Sequence, residues 1–177
     1  MTGLDFTAAL GRLLTERDLR AEFTRAPGEV ARRLAARPEE AAALAALDPE
    51  GLEAQARTVL QKRLHEVRRL LPVTFAGLGE RGRTLFLEYA GAQWPAGHRR
   101  HLVDAVAFGR HLRARGVAGA SAAELHWLEF LLGKRRLSVR AVRDLPCGDR
   151  RRAGLQVLYR TRAGRPRRFA LRLGLGD

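Results

Sequence analysis

"DRRRAGLQVLYRTRAGRPRRFALRLG", residues 149–174, alternates apolar and polar positions with a period of two, and most of the polar positions are arginine. Leu155, Val157 and Tyr159 alternate with Gln156, Leu158, Arg160 and Arg162, and Phe169 and Leu171 alternate with Arg168, Ala170 and Arg172. Between the two runs lies "AGRPR", whose Gly164 and Pro166 suit a turn, so the stretch reads as a β-hairpin. Upstream, "RLSVRAVR" shows the same alternation, with Leu137, Val139 and Ala141 between Arg136, Ser138, Arg140 and Val142. The expectation is a three-stranded antiparallel sheet whose apolar face packs on helices. Its other face would carry Arg136, Arg140, Arg160, Arg162, Arg168 and Arg172 as a candidate anion-binding or partner-binding surface.

Everything before Gly133 has helical spacing. "LDFTAALGRLL" places Leu4, Ala8 or Ala9 and Leu13 on one stripe, and "TERD" offers Thr15 as an N-cap with Asp18 three residues on. Short helices follow through "RDLRAEFTRA", "GEVARRLAAR" and "PEEAAALAALD", the last opened by Pro38. The longest helix runs through "PEGLEAQARTVLQKRLHEVRRLLP", with Leu52, Ala56, Val59, Leu60, Leu64, Val67 and Leu71 in register. After Pro72 come a short helix, one over about 80–91 and one over about 97–114 that Gly116 ends. A last helix over "SAAELHWLEFLL" has Ser121 as N-cap, Glu124 completing a capping box, and Leu125, Leu128, Leu131 and Leu132 as its buried stripe. The predicted fold class is α+β, mainly α: a multi-helical domain over 1–116, then a helix and a basic three-stranded sheet over 117–177.

Charge follows the same division. The 177-residue chain has a net charge of +14. From Lys134 to Arg172 there are fourteen Lys or Arg against Asp144 and Asp149, a net of +12, while residues 1–133 hold nineteen basic and sixteen acidic residues, a net of +3. Only Lys62 and Lys134 are lysines, which fits a GC-rich coding bias, but such a bias does not remove acids from one end. Like charges facing each other across strands destabilise a sheet by some tenths to about 1 kcal/mol per pair unless something screens them. Phosphate of a nucleic acid, acidic side chains of a protein or peptide, and water are the three candidates. Because Tyr159 and Phe169 fall on the apolar side by alternation, base stacking on this sheet is disfavoured. A free sheet edge, in contrast, can accept a peptide strand while arginines hold its acids.

The remaining constellations are weak. His98, His101 and Asp104 are three apart on one helix, a spacing at which a metal could bind, but the stretch reads better as a solvated helix start. His65 and His126 are isolated, and the one cysteine, Cys147, excludes an internal disulfide framework. "GLGERG" at 77–82 lacks the strand context and lysine of a phosphate loop. No catalytic constellation stands out, and neither a cofactor nor an enzymatic activity is expected. Phe86, Tyr89, Trp94 and Trp127 are core or docking residues, core being the commoner fate. No apolar run reaches the roughly 18–20 residues of a membrane span, and "MTGLDFTAAL" lacks the character of a signal peptide, so a cytoplasmic location is expected.

Residues 13–64, "LLTERDLRAEFTRAPGEVARRLAARPEEAAALAALDPEGLEAQARTVLQKRL", resemble the small helical domain of the alpha subunit of extradiol ring-opening dioxygenases, with its "LLTD-x-x-LR-x-x-F-x-x-D-P" pattern. Arg25-Ala26-Pro27 replaces the acidic-Pro pair, and no catalytic beta-type domain follows, so the resemblance implies a fold and not that enzyme's role. Together with "RLLPVTFAGLGERGRTLFLEYAGAQWPAGHRRHLVDAVAFGRHL", residues 69–112, the chain resembles small proteins encoded beside multinuclear non-haem iron-dependent oxidative enzymes. Those enzymes modify ribosomally made peptides, and related systems use a helical partner protein that binds the enzyme and helps present the precursor; some such partners carry a DNA-binding description. The resemblance implies a non-catalytic accessory protein with an iron-dependent enzyme, and an acidic peptide, as partners. Any iron would belong to the enzyme. The alternative is a nucleic-acid-binding protein using the same arginines.

Overall fold

The computed structural model describes residues 3–91, 94, 95, 97–147 and 150–172, with the side chains of 146, 147, 150–152 and 172 outside that description. The chain is mainly helical, with helices followed by one three-stranded antiparallel sheet in the order β1-β2-β3. It forms two compact units, neither of them continuous: Met1–His65 with Leu85–Trp94, and Glu66–Thr84 with Pro95–Asp177. The helix over 100–114 thus belongs with the sheet and with residues 66–84, and not with the helices over 6–45.

In the first unit, α1 (Phe6–Thr15), α2 (Arg17–Arg25), α3 (Pro27–Leu34) and α4 (Pro38–Ala45) are joined by very short connections, and α5 (Pro49–Leu70) begins. Proline opens α3, α4 and α5, where its missing N–H costs nothing and its fixed φ already suits a helix. Leu13, Phe23, Val30, Leu34 and Leu44 form the buried core. Thr15 does not cap α2. It is the last residue of α1 and donates its hydroxyl to the Arg12 carbonyl at 3.2 Å, while Asp5 caps α1 by accepting from the Ala8 amide at 2.7 Å. Arg20, only 6% exposed, reaches back to the last carbonyls of α1, Leu13 and Leu14, each at 3.2 Å, and pairs with Glu53 at 2.9 Å. Phe86 and Tyr89 are core residues of this unit, whereas Trp94 is 42% exposed with the Arg63 guanidinium 4.7 Å from its ring centroid.

The second unit contains α6 (Pro72–Leu78), the end of α5, the start of α7 (Arg81–Ala90), α8 (Arg100–Ala114), α9 (Ala122–Leu132) and the sheet. Phe75 and Phe108 meet at 5.8 Å between ring centroids, and Gly119, at φ +98°, lies so close to Gly77 that a Cβ on either would come within 2.6 Å of the other's carbonyl oxygen. Ser121 caps α9 as expected, accepting from the Glu124 amide at 3.2 Å. Glu124 does not complete the box. Its carboxylate accepts instead from the amides of Val73 and Thr74, at 2.6 and 2.7 Å, and so caps α6.

The sheet consists of β1 (Leu137–Cys147), β2 (Arg150–Arg160) and β3 (Pro166–Arg172), with an irregularity in β1 between Val142 and Leu145. The turn from β2 to β3 closes through Thr161, whose amide donates to the Arg165 carbonyl at 2.9 Å, and Gly164, at φ +76°. Pro166 opens β3 on an edge, where a missing N–H is tolerated. Among the described residues no helix is long and apolar enough to cross a membrane.

Candidate functional site: a sheet facing the unexpected way

The register sorts the sheet into two grids. On one side lie the rows Leu137–Tyr159–Arg167, Val139–Val157–Phe169 and Ala141–Leu155–Leu171; on the other lie Ser138–Leu158–Arg168, Arg140–Gln156–Ala170 and Val142–Gly154–Arg172. The period-two pattern is therefore real, but the apolar grid is the one that faces outward. Leu137 is 61% exposed, Val139 54%, Leu171 51%, Phe169 47% and Tyr159 38%, whereas Gln156 and Leu158 on the opposite face are 4% and 0% exposed. This reverses the expectation that the apolar alternation packs on the helices and that the arginines form a free face.

The physical reason lies in α9, which offers the sheet polar partners as well as apolar ones. Arg160 runs to its C-terminal end, donating from Nη2 to the carbonyls of Phe130 at 3.0 Å and Gly133 at 2.9 Å, and from Nε to Arg135 at 3.2 Å. It thereby satisfies carbonyls that the end of a helix leaves open. Arg140 pairs with Glu129 at 3.3 Å, and the Arg168 guanidinium lies 5.3 Å from the Trp127 ring centroid. Val142 and Leu145 pack on Ala123 as a small apolar cluster beside these contacts. The long arginine stems add apolar cover while their heads find acceptors.

At the centre of this interface is a buried polar chain. His126, 2% exposed, has Nδ1 2.8 Å from Gln156 Oε1 and Nε2 2.8 Å from Ser138 Oγ. Gln156 Nε2 donates to the Ala123 carbonyl at 3.0 Å, which turns its Oε1 toward the imidazole. The network assigns the ring proton to Nδ1 and makes Nε2 the acceptor of the Ser138 hydroxyl. Burial pushes His126 below the usual imidazole value, the Gln156 bond opposing and Arg140 reinforcing that shift.

Of the six arginines expected on a free face, Arg140, Arg160 and Arg168 engage α9, Arg136 is exposed ahead of β1, and Arg162 is exposed in the β2–β3 turn. The side chain of Arg172 lies outside those described, as does that of Cys147. Arg167 is itself part of the outward grid, Arg136, Arg143, Arg162 and Arg165 are exposed in or beside the strands that form it, and the grid itself contains no acid. Tyr159 and Phe169 meet edge to face on that surface, with centroids 6.2 Å apart. Sequence reasoning placed Leu137, Val139 and Leu171 in the core; the signal for the reversal was Ser138, Gln156 and Gly154, poor core residues on the arginine side.

Under β3 on the helix side is a cavity of about 500 Å³, lined by Trp127, Leu128, Asp144, Leu145, Arg168 and Ala170 among others. Asp144 accepts the Ser121 hydroxyl on Oδ2, and its Oδ1 is buried without a partner among the described residues. His98 and His101 line a shallower hollow with Glu66 and Arg69, while Asp104 is 1% exposed in the interior. Among the described residues no group of three or more His, Cys, Asp or Glu could hold a metal ion.

The fold and this surface define a mainly helical α+β protein whose sheet exposes an apolar face, with exposed arginines in its strands and turn. The family described as SCO6045-like, C-terminal domain, is similar to this chain over residues 34–114, from the last residue of α3 to the end of α8. No curated protein and no solved structure matches the chain. The similar stretch ends before α9 and the sheet.

Proposed function

We propose that this is a non-catalytic accessory protein of the cytoplasm that docks a partner protein on the outward face of its C-terminal sheet. The observation that carries this reading is the outward grid: eight apolar or aromatic residues and one arginine, with five large side chains 38–61% exposed. A contiguous apolar patch rimmed by polar residues has the anatomy of an interface, an apolar centre that excludes water and a charged rim that selects the partner. With one arginine and no acid in the grid and exposed arginines in its strands and turn, the face complements a protein surface whose apolar patch is flanked by carboxylates. The partner implied by the resemblance of residues 13–112 is an iron-dependent oxidative enzyme that modifies peptides. An acidic peptide substrate fits the same sheet at its β3 edge, where an added strand would run beside Arg165 and Arg167 and above the 500 Å³ cavity.

The experiment is co-purification of the chain with a multinuclear iron-dependent oxidative enzyme of the kind encoded beside the proteins it resembles, comparing the wild type with Val139→Ser/Phe169→Ser. A complex at micromolar concentration that the double variant loses supports the reading. No complex in low or moderate salt defeats it.

A second reading is favoured by one observation, the outward Tyr159–Phe169 pair beside Arg167. Rings facing solvent next to arginines make a stacking platform for single-stranded nucleic acid. Fluorescence titration with single-stranded DNA and RNA across a salt series separates the two. A steep fall of log K with log salt, together with loss of binding on Tyr159→Ala, supports the nucleic acid reading.

A further inference from the structure

A different cavity, of about 400 Å³, opens between α8, α9 and the first residues of β1. Its size falls within the roughly 300–1,000 Å³ of small-molecule sites. Its lining is one-sided in charge: Arg110, Lys134, Arg135 and Arg140 against the single acid Glu129, a formal excess of +3. Glu129 does not cancel these groups so much as position them. One carboxylate oxygen takes Arg110 Nε at 2.9 Å and the other takes Arg140 Nη1 at 3.3 Å, so two guanidinium groups are held side by side at the cavity wall. A guanidinium has five N–H donors, and each of these gives one to Glu129, which leaves the others for a ligand. Lys134 and Arg135 stand exposed in the loop after α9, the Ser138 hydroxyl supplies a polar patch fixed by its bond to His126, and Phe130 adds an apolar wall.

We propose that this pocket binds a phosphoryl group carried by a small ligand. Paired guanidinium forks match the oxygens of a phosphate in geometry, and a residual charge of +3 favours a dianion over a carboxylate. The cavity is roomier than a bare phosphate needs, and Phe130 gives an attached apolar body something to pack on. The site is separate from the outward face of the sheet and does not depend on what docks there.

The test is a titration of the full chain by ¹H–¹⁵N NMR at low salt, with inorganic phosphate in one arm and phenyl phosphate in the other. Saturable shifts confined to residues 133–140 and the neighbourhood of Arg110 are expected, with phenyl phosphate binding several-fold more tightly. Arg110→Ala and Arg140→Ala should each weaken binding by about tenfold, as loss of a charge-assisted fork does. Lys134→Ala, in an exposed loop and with no ion pair among the described residues, should weaken it by about two- to fivefold while the spectrum stays folded, so the claim survives any instability of the arginine variants. Shifts that never saturate, that spread evenly over the arginines of the sheet, or that are unchanged in the folded Lys134→Ala and Arg110→Ala proteins overturn the proposal.

Discussion

Arg160 and Phe130 meet twice: the guanidinium donates to the Phe130 carbonyl at 3.0 Å and lies 5.0 Å from the centroid of its ring. One side chain of β2 therefore both closes the end of α9 and stacks on it. This contact makes Arg160 part of the fold and removes it from the surface available to a partner.

Arg160→Ala should cost about 2 kcal/mol in urea unfolding, as expected when several hydrogen bonds from a charged donor to partly buried carbonyls are lost. Arg160→Lys should recover little, because one ammonium cannot reach several carbonyls in a fork. Arg162→Glu, in the exposed turn, should leave the midpoint within about 0.5 kcal/mol and weaken partner binding only. Equal stability of the Arg160 and Arg162 variants would contradict the assignment.

Glu124 ties α9 to α6 through two amides. Glu124→Ala leaves those N–H groups without their acceptors and should cost about 1–2 kcal/mol, the range for a lost helix cap; Glu124→Gln, which keeps one acceptor oxygen, should cost about half as much. Chemical denaturation of the three proteins in parallel reads this directly.

His126 gives a pH dependence with a definite sign. In the unfolded chain it titrates near 6.5, and burial holds the folded group lower, so the unfolded state binds more protons between the two values. Stability is full above 6.5 and falls as pH drops through that point toward the folded value. Unfolding free energies from pH 8 to 5 should decline in the wild type and flatten in His126→Gln. The same slope in both would place the titration elsewhere.

The sequence is most legible where local chemistry decides. Pro38 opens a helix, Ser121 caps one, and the change from helical to period-two spacing after Gly133 coincides with the start of β1 at Leu137. It is less legible where a distant partner competes. Glu124 has the spacing of a capping box, yet the amides of Val73 and Thr74, about fifty residues earlier, take its carboxylate. The direction of the sheet failed for a related reason. Alternation distinguishes two faces but does not say which one meets the helices, and here α9 brings Glu129, Trp127, His126 and open carbonyls that suit arginine, serine and glutamine better than leucine. Tyr159 and Phe169 pass from the core to the surface by that single reversal, which is why a stacking platform reappears as a candidate.

The outward grid offers the most direct measurement: the dissociation constant for the proposed partner, a multinuclear iron-dependent oxidative enzyme of the kind encoded beside the proteins this chain resembles, by calorimetry in moderate salt, of the wild type and of Val139→Ser/Phe169→Ser. Both side chains are about half exposed, so the variant should fold with a loss of stability of no more than about 1 kcal/mol. The expected result is micromolar or tighter binding by the wild type and a loss of about tenfold or more in the folded variant. Binding that the two substitutions leave unchanged, or no binding by the wild type, would contradict the account.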